Sequence, residues 1–112
     1  MTTIPFVGAD EIRATVAFED LIEPVSLAFQ ESSAGLAQNG LITMFPASRP
    51  DLGDVYVKTG ALRGHRVFIA KVSPWFAVNR NQGRPQGGLF AVFDSDTGHT
   101  LALLHEDRKS VV

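Results

Sequence analysis

The sequence contains no cysteine, which excludes disulfide bonds, thiolate metal sites and cysteine nucleophiles. No apolar run approaches the roughly 18 residues that span a bilayer, so we expect no membrane crossing. The first residues lack a positively charged segment followed by an apolar one, which argues against a secretory signal. These absences predict a cytoplasmic protein of one domain. Its 112 residues are enough to bury roughly two-thirds of the unfolded surface in a single core.

Motifs for metal binding, nucleotide binding and acid–base catalysis are also missing. The three histidines lack ligand spacing, so we expect solvated side chains and no metal site. Neither a P-loop nor a dinucleotide fingerprint occurs in the sequence. The Gly87-Gly88 pair is not a phosphate-binding loop, because it opens a predicted strand rather than a helix. Asp94 and Asp96 occupy a hairpin tip, where we expect them to accept hydrogen bonds from backbone N–H groups.

Charge is distributed unevenly along the chain. Residues 1–48 carry one cationic side chain against six acidic ones, whereas residues 49–84 carry seven against two. A basic middle segment between acidic ends favours a local anionic ligand over a long polyanion. The pI of about 5.8 argues against nucleic-acid binding.

Hydrophobic periodicity predicts an α+β fold, with two N-terminal helices packed on a mixed, largely antiparallel sheet of five or six strands. The first helix begins near Gly8. The second covers residues 18–30, with Pro24 near the end of its first turn, and its end is marked by residues 32–35 and then 38–40. Residues 73–88 read as a long irregular loop. Strands are predicted at residues 4–7, 41–45, 54–59, 66–72, 89–93 and 100–104.

Two lysines stand out because each lies among apolar residues in a predicted strand. Lys58 shares a strand face with Tyr56, and Lys71 shares one with Val67 and Ile69. A lysine in such a strand loses hydration unless an anion meets it. If the two strands are adjacent, both lysines could approach one carboxylate. The alternative is that each lysine simply solvates a sheet edge.

The order and spacing of several segments resemble the N-terminal half of the ornithine cyclodeaminase/mu-crystallin family, and most closely its ectoine-utilisation branch. The resemblance covers the chain up to about Leu104. The segments that carry it are Gly8-Ala9-Asp10-Glu11, Ala28-Phe29, Asp54-Val55-Tyr56-Val57-Lys58-Thr59-Gly60, Ala70-Lys71-Val72-Ser73-Pro74, Asn79, Gly83-Arg84-Pro85 and Phe93-Asp94-Ser95-Asp96-Thr97-Gly98.

The resemblance implies that residues 1–104 form a substrate-binding and dimerisation domain for a small amino or imino acid. In the family a Rossmann domain that binds NAD or NADP follows in the same chain. Lys71 matches the lysine beside the reacting carbon, so it is the expected catalytic residue and a substrate ligand. Lys58, Thr59 and Asn79 match the substrate cleft. The expected cofactor contacts, by the same resemblance, are Gly83, Pro85 and Gln86.

Residues 105–112 depart from the family pattern and read as a divergent tail. The expected protein is therefore a truncated form, inactive alone, that binds no cofactor by itself and forms a homodimer. A stand-alone module that binds small carboxylates without catalysis is the alternative. Neither interpretation calls for nucleic acid or a membrane as a partner.

Overall fold

The computed structural model of the protein describes residues 3–105. Three helices pack on one open, mixed sheet of six strands, which confirms the α+β prediction. The helices are α1 (Ala9–Thr15), α2 (Phe18–Ser33) and α3 (Ala77–Asn81), and a short 3-10 helix covers Pro50–Leu52. The strands are β1 (Phe6–Val7), β2 (Ala37–Met44), β3 (Gly53–Leu62), β4 (Val67–Phe76), β5 (Leu89–Asp94) and β6 (Thr100–His105).

The sheet has the order β1-β6-β5-β4-β3-β2, in which consecutive strands from β2 to β6 pair antiparallel and β1 joins β6 in parallel. The two edges differ. β1 is only two residues long, whereas β2 offers eight residues without a charged side chain. Short or charged strands protect a sheet edge from further pairing, so the β2 edge is the less protected of the two.

Helix α2 corrects two sequence-based expectations. It begins at Phe18, and the Asp20 carboxylate accepts a hydrogen bond from the Ala17 N–H at 2.9 Å. Pro24 is therefore the seventh helical residue rather than part of the first turn, so one internal hydrogen bond is lost. The helix ends at Ser33, within the first predicted end signal at residues 32–35, whereas residues 38–40 belong to β2 because they pair with β3.

The segment from residue 73 to 88 was expected to be an irregular loop, and that prediction is wrong over its first half. β4 continues through Pro74 to Phe76, and α3 follows at once. A proline normally argues against a central strand, because it lacks the N–H needed by the ladder. Here β5 pairs with β4 only as far as Val72, so Pro74 lies where one flank of the strand is unpaired.

The core is thinner than chain length suggested. The chain exposes 8345 Å², against about 6,000 Å² for a compact monomer of 12.1 kDa. An unfolded chain of this mass exposes about 17,500 Å². Among the residues that the structure describes, Val55 is the one large apolar side chain that is almost fully buried, with 8% of its surface exposed. The reason is that an open sheet with one long helix leaves much of both faces uncovered.

Helix α2 contacts the turn that joins β3 to β4. His65, in the turn after β3, lies 2.6 Å from the Glu31 carboxylate through its Nε2 atom. Beside this contact, Val25 and Phe29 of α2 and Val67 and Ile69 of β4 line a largely apolar cavity of about 480 Å³. Within residues 3–105, no helix is long and apolar enough to cross a membrane.

Candidate functional site

Strand register places the two lysines directly opposite each other. Lys58 of β3 pairs with Lys71 of β4, so their side chains leave the same face of the sheet. The row continues on both sides, with Leu41 of β2 next to Lys58 and Phe90 of β5 next to Lys71. Two cationic side chains therefore lie side by side in an otherwise apolar row of cross-strand neighbours.

This row forms the floor of an open cleft of about 530 Å³. Lys71 is half-buried, and its Nζ atom lies 5.2 Å from the centre of the Phe90 ring. That distance is within the range of a cation–π interaction, which holds the ammonium group over the ring face. The cleft is lined by Asn39, Gly40, Leu41, Lys58, Thr59, Gly60, Ile69, Lys71 and Phe90.

The topology rejects the sheet-edge explanation for both lysines. β4 lies between β3 and β5, and β3 lies between β2 and β4, so neither lysine is on an edge strand. Lys58 is exposed, and it makes no ion pair or hydrogen bond within residues 3–105. Thr59 lines the cleft as well, although strand alternation directs its side chain to the opposite face from Lys58.

The other predicted site residues lie around α3, away from the lysine cleft. Gln86 is 4% exposed, and its side-chain amide accepts from the Phe76 N–H at 2.8 Å and donates to the Phe76 carbonyl at 3.1 Å. The Asn79 amide donates to the same Gln86 oxygen at 3.3 Å. Gly83 has a left-handed φ of 64°, and Pro85 is exposed. These contacts close the turn after α3, and a role in ligand binding stays a prediction.

The Gln86 contact is a feature that the sequence did not reveal. Its amide bonds to both backbone polar groups of one residue, as a neighbouring strand would, and we call this pair of hydrogen bonds the Gln86 latch. Phe90 and the pairing of His65 with Glu31 were missed too. Each depends on strand register or loop closure, and a single sequence carries no direct signal of either.

The β5–β6 hairpin confirms the expected role of Asp94. Its Oδ1 atom accepts hydrogen bonds from the N–H groups of Asp96 at 2.7 Å and Thr97 at 3.0 Å. These two bonds, with smaller help from the Thr97 side chain and His99, lower the pKa of Asp94. Within the described residues, no group of three His, Asp or Glu side chains could hold a metal ion.

We expect the hairpin to lose stability in acid through Asp94. Because its folded pKa is lowered, its contribution is fully present above the unfolded value near 3.8 and is lost as the pH falls through the folded pKa. Asp94→Asn keeps an oxygen acceptor but does not titrate. In thermal melts from pH 7 to pH 2.5, the wild type should have a higher melting temperature than Asp94→Asn, and this difference should shrink below about pH 4.

Asp96→Asn is the matched control, because it removes a carboxylate from the same turn without removing the two Asp94 hydrogen bonds. A constant difference in melting temperature between wild type and Asp94→Asn down to pH 2.5 would contradict the prediction.

Comparison with solved structures finds the same fold elsewhere. The fold is shared with part of two reductases that were solved with a nicotinamide dinucleotide. One neighbour is the Delta(1)-pyrroline-2-carboxylate reductase of Thermococcus litoralis, solved with NADH and L-proline, at a TM-score of 0.80 and 20% sequence identity. The other is the iminosuccinate reductase of Paracoccus denitrificans, solved with NAD+, at a TM-score of 0.78 and 18% identity.

The match to both enzymes extends over 91% of this chain but only 32% of theirs, so the chain spans about a third of their length. Comparisons with protein-family models and with curated proteins found no match. At these identities the likeness establishes the fold, and the chemistry has to be argued from the cleft.

Proposed function

We propose that this chain is the substrate-binding and dimerisation part of an NAD(P)-dependent enzyme that acts on a small amino or imino acid. The observation that carries the proposal is the Lys58–Lys71 pair on the floor of a cleft. Both neighbours belong to the ornithine cyclodeaminase/mu-crystallin superfamily, which the sequence also resembles. A cytoplasmic location is part of the same proposal.

The cleft suits a small carboxylate. The two ammonium groups supply charge-assisted donors, which are stronger than neutral ones. Leu41 and Phe90 flank them with apolar surface that suits a short carbon chain. Contact with Phe90 limits the freedom of the Lys71 side chain, so less entropy is lost when an anion binds. We assign Lys71 the role of placing the ligand carboxylate.

The three predicted cofactor contacts offer few free polar side-chain groups to a nicotinamide dinucleotide. Among the three predicted cofactor contacts, only Gln86 has polar side-chain groups, and the Gln86 latch already uses its amide. Hydride chemistry needs a nicotinamide held against the substrate. We therefore assign the cofactor to a separate dinucleotide-binding unit and expect the 112-residue chain alone not to oxidise NADH.

Substitution of Lys71 tests the ligand assignment. NMR titration of the chain with L-proline and small 2-oxo acids should move the signals of cleft residues in the wild type. In Lys71→Gln the affinity should fall at least tenfold, since a hydrogen bond to a charged group contributes about 1.5–3 kcal/mol. Arg63→Gln removes one positive charge from the turn beyond β3 and serves as the control. Equal affinities for wild type and Lys71→Gln would disprove the role.

Exposed apolar surface supports the dimerisation part of the proposal. Several large side chains of α2 and β2 are more than 45% exposed, among them Ile22, Phe29, Leu41 and Ile42. Contact with a second copy would remove such side chains from water, which is the main driving force of association. Sedimentation velocity at micromolar concentration should show a dimer, and Ile42→Lys, on the edge strand, should shift it towards monomer. A wild-type monomer throughout this concentration range would refute the prediction.

The names of the two neighbours leave the substrate class open. Pyrroline-2-carboxylate has one carboxylate, whereas iminosuccinate has two. Only the residues of this cleft can decide between a monoanion and a dianion.

A further inference from the structure

The opposition of Lys58 and Lys71 places two like charges next to each other on one face of the sheet. Like charges directly opposite each other on antiparallel strands destabilise a sheet, because their Cβ atoms are only about 4.5–5.5 Å apart. Both lysines are on interior strands, where a neutral residue would suit the apolar row better. An anion that meets both ammonium groups removes this repulsion.

The two lysines are held differently, and their side chains lie beside different neighbours. The Lys71 ammonium leans towards β5, over the Phe90 ring. Lys58 is on the other side, next to Leu41 of β2, and its exposed side chain has room to reorient. Adjacent strands are about 4.8 Å apart. Two carboxylates joined by a short carbon chain match such a pair better than a single carboxylate does.

Acidic side chains on the same face do not oppose this arrangement. Along β3, Asp54 is four residues from Lys58, and along β5, Asp94 is four residues from Phe90. Four residues of strand span about 13 Å, which is beyond the screening length of about 8 Å at physiological salt. A doubly charged ligand therefore meets the two lysines without strong repulsion from these carboxylates.

We propose that the cleft selects a dianionic ligand, a short-chain dicarboxylic amino or imino acid, with one carboxylate on Lys71 and the other on Lys58. This inference rests on the proposed function above, since it concerns the same cleft. It goes further by assigning Lys58 the discrimination between dicarboxylates and monocarboxylates.

The test compares two probes with the same four-carbon chain and different charge, succinate and its slightly larger monomethyl ester, by NMR titration of the full chain at pH 8. Wild type should bind succinate at least fivefold more tightly. In Lys58→Gln the ratio should fall to about two, the statistical factor for a ligand with two equivalent carboxylates. Lys71→Gln should lower the affinity for both probes. Arg63→Gln should leave the ratio of the two affinities as it is in the wild type. Raising the salt concentration should weaken the binding of succinate more than the binding of its monoester.

Each other result overturns the inference in a distinct way. If both probes bind within a factor of two, and Lys71→Gln weakens them, the dianion preference is wrong while the proposed function stands. If the preference persists in Lys58→Gln, Lys58 is not the discriminating residue. If neither probe binds, and L-proline and the 2-oxo acids do not bind either, both the inference and the proposed function fail.

Discussion

Replacing Gln86 with alanine is expected to lower the free energy of unfolding by about 3 kcal/mol. The substitution removes the Gln86 latch, so the N–H and the carbonyl of Phe76 both lose their partner. Each buried polar group left without a hydrogen bond costs roughly 1–3 kcal/mol. Gln86 is almost fully buried, so water does not replace the lost bonds easily.

Urea denaturation followed by circular dichroism measures this effect. Gln82→Ala is the matched control, because Gln82 is exposed at the end of α3 and its side chain makes no hydrogen bond within residues 3–105. We expect the control to change stability by less than about 0.5 kcal/mol. A similar small change for Gln86→Ala would show that the latch does not stabilise the fold.

Replacing Gly53 with alanine is expected to destabilise the protein by about 2 kcal/mol through overpacking. A Cβ atom at this position would lie 2.6 Å from Cδ2 and 2.7 Å from Cε2 of the Phe76 ring. The ring cannot move away freely, because the Gln86 latch and pairing with β3 hold the Phe76 backbone. The cause is steric, since the φ of Gly53, 179°, is open to any residue.

A double-mutant cycle isolates this contact. Phe76→Ala removes the ring and should be costly itself, but Gly53→Ala in that background should cost less than about 0.5 kcal/mol more. Gly40→Ala is a second comparison. There the new Cβ atom would lie 2.6 Å from the Thr59 hydroxyl, which can rotate away, so the expected loss is below about 1 kcal/mol. Equal losses for Gly53→Ala with and without the Phe76 ring would contradict the steric explanation.

Much of the fold followed from local chemistry. Alternating runs and turn residues predicted β3 to β6 within a few residues of their bounds, and the Asp94 turn followed from its composition. The misplaced features have tertiary causes. Asn39 and Gly40 resemble a helix terminator, yet pairing with β3 draws them into β2. Pro74 resembles a strand breaker, yet it lies where β5 no longer pairs.

The candidate site was predictable in part. Both lysines were identified because a charge among apolar strand residues needs a reason, and strand order rejected the edge explanation. The contribution of Phe90 could not be predicted, because it requires the register of β4 on β5. The predicted ligand roles of Asn79, Gly83, Pro85 and Gln86 came from resemblance alone. Folding places these residues in and around a latched turn instead of beside the lysines.

The unequal edges of the sheet have a consequence for how large an assembly can grow. If two copies join β2 to β2 about a twofold axis, the contact is self-complementary and produces one continuous sheet of twelve strands. Both β2 edges are then used, and each outer end carries β1 beside β6, where β1 pairs with Leu103 and Leu104 alone. Growth along the β2 edge would then stop at two copies, because a twofold contact uses each β2 strand once.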